Sequence, residues 1–332
     1  MTVVVPTLAA DRSLQECLCS LRTQTWRDFD VIVVDNSGCG RARSGESAFP
    51  GVRIIEQKEN AGFGAAVNAG FRASSAPLLA TLNDDAVAHP DWLAALVAAM
   101  ERRADAGMCA SQVRLFGEEQ LDSCGMLICR DASSKQRGHL RPPADFPVEE
   151  EVLLPSGSAA LYRRAMLLET GLFDEDFFLY CEDTDLGLRA RWLGWRCLYV
   201  PEAVVEHHYS YSAGRASPLK AYYVERNRLF VLVKNFPAGM LAAAPFVAAL
   251  RYSWHVVHGL RGRGSAARFR REGNSGLRML GYVLKAHLAL ALRLPRLWRE
   301  RREIRRRARV SPAVYRRLLR GHAITARRVA EL

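Results

Sequence analysis

"DFDVIVVDNSG", residues 28–38, runs four β-branched aliphatic residues together and then ends in an acid and a turn. An unbroken apolar run of this kind reads as a strand covered on both faces, and such strands belong to parallel sheets. Outward from it the design repeats. "TVVVPT" (2–7) is a buried strand ending in Pro6 and Thr7, "VRIIEQ" (52–57) is a third strand, and "PLLATLNDDA" (77–86) ends in Asn83, Asp84 and Asp85. Between them, "SLQECLCSLRTQT" (13–25), "FGAAVNAGFRAS" (63–74) and "PDWLAALVAAMERR" (90–103) have helical spacing, with Ser13 expected as an N-cap and Pro90 as the opening residue of the third helix. This alternation predicts an α/β fold, a mainly parallel sheet flanked by helices. Ligands bind such sheets at the carboxyl ends of the strands, where the clusters Pro6-Thr7, Asp35-Asn36-Ser37 and Asn83-Asp84-Asp85 all fall.

Charge divides the chain. Residues 1–250 carry 25 basic and 31 acidic side chains, whereas residues 251–332 carry 22 basic and 4 acidic ones. A globular front with a basic, helical extension follows, and we place the boundary between residues 1–235 and 236–332. The extension suits an anionic surface. "AGMLAAAPFVAALRYSWHVVHGLRGR" and "LRMLGYVLKAHLALALRLPRLWRERR" pair apolar helical faces with Arg, Trp and Tyr, as interfacial helices do. The alternatives are a helical subdomain packed on the core or the interface of a homo-oligomer. The apolar run Phe236–Leu250 is expected to be too short to span a bilayer, and no signal peptide is expected. Nucleic acid is not the expected partner, because aromatic residues do not interleave with basic ones across a sheet. The eight cysteines form no C-x-x-C pair and no zinc spacing, and read as reduced, mostly buried thiols.

The residues that could carry chemistry lie in four places. Adjacent Asp84 and Asp85 at an open strand end repel one another unless a cation joins them, and oxygen-rich sites of this kind take Mg²⁺ or Mn²⁺; an ordinary turn before the next helix is the rival reading. Asp35 could accept the imide N–H of a pyrimidine, or simply make a turn. "NAGFGAAVNAG" (60–70), with Asn60, Gly62 and Asn68, is not a G-x-G-x-x-G fingerprint, but its glycines allow close backbone approach. The fourth place is "FLYCEDTDLGLRARWLGWRCLYVPEAVVEHH" (178–208). Here Glu182, Asp183 and Asp185 open a helix beside Tyr180, Trp192 and Trp195, and His207 follows a further strand. The helix dipole explains acids at an N-terminus. It does not require three of them against an aromatic wall, and a carboxylate so placed is a candidate general base.

In this order the stretches "VVVPT", "VDNSG", "ENAGFGAAVNAG", "LNDDA", "SGSAALYRRAMLLETGLFDEDFFLYCEDTDLGLRARWLGWRCLYVPEAVVEHH" and "ERNRLF" resemble the family 2 inverting glycosyltransferases over about residues 1–235. The resemblance implies the GT-A nucleotide-diphospho-sugar transferase fold, followed by the C-terminal helical, basic extension. Within the family the likeness is to bacterial rhamnosyltransferase-like members. It implies a dTDP-rhamnose donor, a saccharide or polyprenyl-linked acceptor and a divalent metal (Mn²⁺ or Mg²⁺); the basic, apolar extension itself leads us to expect a peripheral, cytoplasmic place on the inner face of the cell membrane. It assigns Asp183 as catalytic base with Glu182 beside it, and Pro6, Thr7, Asp35, Asn60, Gly62, Asn68 and Asp84 to the nucleotide sugar. Asp85 and His207 fall to the metal, and Tyr180, Trp192 and Trp195 to the acceptor. The first position of the D-x-D-like triplet is Asn83, which leaves Asp84 and Asp85 to share its work. Two rivals remain. A nucleotidyltransferase would want a Gly-rich, basic first loop, and "PTLAADRS" offers only Arg12. An inactive scaffold on the same fold would tend to lose Asp183 or Asp85, and both are present.

Overall fold

A computed structural model describes residues 1–8, 11–208 and 217–332, without the side chains of 44–46. In chain order the elements are β1 (Thr2–Thr7), α1 (Arg12–Arg22), β2 (Asp30–Asp35), β3 (Arg53–Glu56), α2 (Phe63–Arg72), β4 (Leu78–Leu82), β5 (Ala86–Ala88), α3 (Trp92–Arg102) and β6 (Ala106–Leu115). Then come β7 (Leu121–Ser123), β8 (Met126–Ile128), β9 (Ser134–Gln136), β10 (Glu150–Val152), β11 (Ala159–Arg163), α4 (Arg164–Thr170), α5 (Glu182–Trp192) and β12 (Arg196–His207). The remainder is helical: α6 (Pro218–Asn235), α7 (Ala238–Leu241), α8 (Ala244–Leu260), α9 (Gly264–Arg271), α10 (Gly276–Arg307), α11 (Pro312–Gly321) and α12 (Ala326–Glu331).

Packing divides these into two compact units that interleave along the chain. The first holds residues 1–126, 136–178 and 195–209, and the second residues 127–135, 179–194 and 210–332. Division therefore does not fall after residue 235: α5 and α6 belong with the C-terminal helices, because α6 lies along α10 and α5 lies on α6.

The first unit is built on a sheet in the order β10-β12-β6-β11-β4-β1-β2-β3. Strands β4, β1, β2 and β3 are parallel, as their continuous apolar runs predict. Beyond β4 the sheet is mixed: β11 runs antiparallel to both β4 and β6, while β12 is parallel to β6. Register puts Thr7 opposite Asp35, and Asn83 follows directly on β4, so the polar clusters share the carboxyl edge. Helices α1 and α3 bury Leu14, Leu18, Trp92 and Leu96 against Val3, Val5 and Val33. At α1 the N-cap is Asp11, not Ser13: its carboxylate accepts the Ser13 N–H at 3.0 Å, so the helix begins two residues earlier than expected. Gly171 ends α4 in the left-handed conformation.

In the second unit, Ala238–Leu260 is 23 residues long with a mean hydropathy of 1.2, long and apolar enough to cross a membrane, which corrects the short run expected from the sequence. The helix does not stop at Arg251 because that guanidinium turns inward, to Asp131 at 2.7 Å and Glu225 at 2.9 Å. Arg251, His258 and Gly259 are buried, while Phe246, Leu250, Val256 and Leu260 are exposed, so α8 is two-faced. Helix α10 is similar. Lys285 and Arg301 hold it to α6, the first over the Tyr222 ring and the second on the carbonyls of Val233 and Phe236. Leu277, Leu280, Leu284, Leu288 and Leu292, at helical spacing, are exposed.

Candidate active site

The first unit gathers Thr7, Asp84, Asp85 and His207. The Thr7 hydroxyl donates to Asp84 Oδ2 at 2.6 Å, joining the ends of β1 and β4. Burial and the neighbouring Asp85 push Asp84 up to about 7. Strand β5 pairs antiparallel with β12, placing His207 opposite Ala86 and so beside Asp85. Its Nε2 lies 3.1 Å from Asp85 Oδ1, and its Nδ1 lies 2.9 Å from Asp122 Oδ2. Burial alone would lower His207, but these two carboxylates push it up to about 10. Burial would likewise raise Asp85 and Asp122. The charge of His207 instead holds Asp85 below its ordinary value, and bonds from His139 and His207 take Asp122 down to about 2. Asp85, His207, Asp122 and His139 thus form one buried relay.

Asp122 and His139 escaped the sequence reading. They lie in the polar segment 117–152, taken as an irregular excursion, yet that segment contains β7, which pairs with β6 and turns Asp122 inward. No local spacing marks them, because their partner His207 lies 85 residues further on from Asp122.

Among the described residues no group of three or more His, Cys, Asp and Glu side chains is assembled to hold a metal ion. The residues nevertheless fit one. Asp85 Oδ1 is buried with no aligned hydrogen bond, and adjacent carboxylates with one imidazole suit a hard or borderline divalent cation. His207, held protonated, would give up Nε2 to a metal only by releasing that proton.

Several sequence-assigned residues are otherwise employed. Asp35 is 1% exposed, and its oxygens accept the backbone N–H groups of Ser37 at 2.9 Å and Ala42 at 2.8 Å, so it organises the turn after β2. Asn60 Oδ1 accepts from Gly62 N–H and from Asn36 Nδ2, each at 3.0 Å, and locks the entry to α2. Gly62 has φ +90°, and a Cβ there would sit 2.2 Å from the Phe178 carbonyl, which requires glycine. Asn68 is fully buried and bonded to Phe173 and Glu175, and so locks α2 to the segment after α4. Pro6 is buried within β1, opposite Val34.

The second unit carries the acids of α5. Asp183 Oδ1 accepts the Thr184 N–H at 2.6 Å and lies 3.2 Å from the Thr184 hydroxyl, which is also within hydrogen-bond distance, 3.1 Å, of the Ser134 hydroxyl. Glu182 is buried, and its Oε2 has no hydrogen-bond partner among the described residues. Burial, and then the charge of Asp183, push it up to about 8, so a neutral acid stands beside the proposed base. The turn into α5 is strained: Tyr180 and Cys181 have φ of +69° and +66°. Such conformations cost about 1–3 kcal/mol each and persist where the surroundings enforce them. Asn227, fully buried on α6, enforces this one by donating to the carbonyls of Leu179 and Tyr180 at 2.8 and 2.7 Å. Asp185 is not part of a reactive cluster. It is fully buried with Arg189 at 2.7 Å, Lys234 at 3.1 Å and Asn235 at 2.8 Å.

The aromatic wall needs correction. Trp192 is fully buried, stacks on Tyr315 with centroids 3.8 Å apart, and donates to Asn235 O at 2.9 Å; it is core. Trp195 belongs to the first unit, where its indole donates to Glu169 at 2.6 Å. Tyr180 is half-buried, with the Lys220 ammonium 5.5 Å from its ring centre.

Glu182 gives a testable pH dependence. Its folded value of about 8 lies above the ordinary 4.5, so the native state keeps a proton that the unfolded chain loses. Its contribution is present below about 4.5 and lost as pH rises through about 8, at up to about 1.4 kcal/mol per pH unit. Glu182→Gln should remove that slope. Melting temperatures at pH 6 and 9 should converge in the variant relative to the parent; an unchanged difference contradicts the neutral acid.

Comparison with known proteins identifies the family and the fold. The profile of "Glycosyl transferase family 2" matches residues 2–171. An N-acetylglucosaminyl-diphospho-decaprenol L-rhamnosyltransferase of Mycobacterium tuberculosis is 32% identical over 258 residues, 67% of this chain and 82% of that protein. Among solved structures, GalNAc-T7 with UDP, GalNAc and Mn²⁺ has a TM-score of 0.61 at 14% identity, over 76% of this chain and 50% of its own length, so the match spans half of that protein. The mannosyltransferase PcManGT of Pyrobaculum calidifontis, in complex with GDP-Man and Mn²⁺, has 0.55 at 17% identity, over 88% and 86%. TarS 1–349 of S. aureus with UDP has 0.52 at 16%, over 96% and 90%. The fold is that of the GT-A nucleotide-diphospho-sugar transferases, and on the profile match and the mycobacterial likeness together this chain belongs to glycosyl transferase family 2.

Proposed function

We propose that the protein is a metal-dependent, inverting rhamnosyltransferase that moves rhamnose from dTDP-rhamnose to a lipid-diphosphate-linked sugar in the synthesis of a cell-surface polysaccharide. The observation that carries this reading is the 32% identity to a mycobacterial L-rhamnosyltransferase whose named acceptor is a sugar on diphospho-decaprenol. In a single displacement, the acceptor hydroxyl oxygen bonds to the anomeric carbon as the bond from that carbon to the diphosphate oxygen breaks. Asp183 takes the hydroxyl proton, its carboxylate oriented by Thr184 and by the turn that Asn227 clamps. Glu182, neutral beside it, adds no second negative charge at the base. Asp85, Asp84 and His207 would hold a divalent cation, which when bound neutralises charge on the departing diphosphate. Transfer assays with a panel of nucleotide sugars, on a short-chain sugar-diphosphate-lipid acceptor, test the reading. dTDP-rhamnose should be the preferred donor and the product anomer inverted; preference for a UDP- or GDP-sugar, or retention, overturns it.

The second unit supports a place on the cytoplasmic leaflet, as a peripheral protein of the inner face of the cell membrane. The exposed leucines of α10 and the exposed face of α8 form apolar stripes on a segment with 22 basic and 4 acidic side chains. Basic residues near an anionic leaflet contribute about 1 kcal/mol each, and apolar faces bury into it. Flotation with anionic liposomes should be strong at 0.1 M salt and fall, without vanishing, at 1 M, as the Debye length shortens from about 10 to about 3 Å. Failure to float with anionic liposomes at low salt contradicts the membrane assignment.

A further inference from the structure

The two edges of the His207 ring are held differently. Nδ1 lies 2.9 Å from Asp122 Oδ2. A carboxylate oxygen accepts, so the proton of that bond sits on Nδ1. Nε2 lies 3.1 Å from Asp85 Oδ1 and 3.3 Å from Asn83 Nδ2, and Asp85 Oδ1 makes no aligned hydrogen bond. One edge of the ring is therefore anchored, while the other faces the end of β4 through contacts that are longer or unaligned. Asp122 is itself braced. His139 Nδ1 lies 3.1 Å from the Asp122 carbonyl, which can only accept, so His139 donates. The same nitrogen is 3.5 Å from Asp122 Oδ1.

Asp122, His139 and His207 are all buried. Taking a carboxylate and imidazoles out of water costs free energy that apolar side chains of similar size do not. A tie between β7 and β12, both of which pair with β6, does not require them. What an apolar side chain cannot do is fix which nitrogen an imidazole presents. Histidines that bind metals are oriented in this way, by a carboxylate or carbonyl on the nitrogen that faces away from the metal. Asp122 holds the edge of His207 that is turned from Asp85, which is the place such a group takes.

We infer that Asp122 is a positioning residue of the cation site: it fixes the His207 ring through Nδ1, so that Nε2 is the atom presented beside Asp85, and His139 holds Asp122 in place. This rests on the metal reading proposed above. Asp122 acts through His207 and supplies no ligand of its own. The site is then built from two strand ends, β4 and β12, and from β7, whose part in it is to aim the imidazole.

The test uses the full chain, with Mn²⁺ as the probe and dTDP in the nucleotide site. Binding is measured by calorimetry and by the paramagnetic resonance of free Mn²⁺. Asp122→Asn keeps the shape of the side chain and removes its charge. It should raise the Kd for Mn²⁺ by about 10- to 100-fold, the usual effect of losing such a partner. Because Asp122 acts through His207, the effect should vanish in the His207→Ala background, where adding Asp122→Asn should change Kd by less than about twofold. A structural tie behaves otherwise: it lowers the melting temperature of the metal-free protein and acts whether or not His207 is present. An unchanged Kd in Asp122→Asn, or an equal loss in the His207→Ala background, overturns the inference. If Asp122→Asn does not fold, His139 carries the test. His139→Leu removes the donor to Asp122 and should raise Kd by about 2- to 10-fold, the scale of one ordinary hydrogen bond. His139→Asn, whose amide can donate to the same carbonyl, should restore most of it. No change in His139→Leu, or no rescue by His139→Asn, then overturns the inference. The metal reading fails separately. If the parent binds no Mn²⁺, that reading falls and takes this one with it; if the parent binds Mn²⁺ and Asp122→Asn binds it equally well, this inference falls alone.

Discussion

Asp183→Asn should lower kcat by about 10²- to 10⁴-fold while leaving donor binding within a factor of two or so, because a positioned general base contributes on that scale. The amide keeps the shape of the carboxylate and its acceptor oxygen for Thr184, but it cannot take a proton. The strained turn at Tyr180 and Cys181 is held by Asn227, which the substitution leaves in place, so the variant should fold. Thermal stability and dTDP binding report on folding and donor affinity; single-turnover transfer reports on chemistry. If more than about a tenth of kcat remains, Asp183 is not the base. Glu182 is then the next acid in line only above about pH 8, where it ionises.

Chelation should stop the reaction, and Mn²⁺ or Mg²⁺ should restore it. Stabilising charge on the departing diphosphate by a bound cation is worth several kcal/mol, or roughly 10³-fold in rate. Asp85→Asn should reproduce the loss in the presence of excess metal. It should also release His207 from one of its two carboxylates and so bring its titration down from about 10 toward the ordinary histidine range. Titration of Mn²⁺ into the parent and the variant, followed by calorimetry, measures the binding directly. Full activity after chelation would overturn the metal assignment, because the ionised Asp85 accepts hydrogen bonds and cannot donate one to a diphosphate, leaving the His207 imidazolium as the only charge of that cluster suited to it.

How far the sequence could be read depended on where each residue's partners lie. The parallel half of the sheet was legible because a doubly covered strand must be apolar at every position, as Val31–Val34 are. Strand order beyond β4 was not, since nothing in "AALYR" records that β11 will insert between β4 and β6. The polar residues at strand ends were found, but their employment was not. A carboxylate or amide looks the same in sequence whether it faces a ligand or, like Asp35 and Asn68, satisfies nearby backbone groups. Trp192 was misplaced for a related reason. Every turn of α5 is buried, so its aromatic residues mark no open face, and its charges pair with Lys234 and Asn235 of α6. Asp122 and His139 needed the fold itself, since strand pairing brings Asp122 to His207 and His139 reaches the cluster only through Asp122.

The stacking of Trp192 on Tyr315 bears on how such an enzyme can be inherited. Arg305 lies 3.6 Å over the same indole, and the Arg309 N–H bonds to the Trp192 carbonyl. The helix that begins with the proposed base is thus finished by residues more than a hundred positions later in the chain. A gene that lost its 3′ end would not yield a soluble version of the same catalyst; it would strip the far end of the catalytic helix and expose an indole and a guanidinium-sized gap in its place. Recombination therefore cannot trade the basic, apolar surface for another targeting device without also supplying a new cover for Trp192. The catalytic helix and the basic, apolar surface form one heritable block, and if that surface is the membrane contact proposed above, a lineage that changes it has to do so by replacing exposed leucines and arginines one at a time.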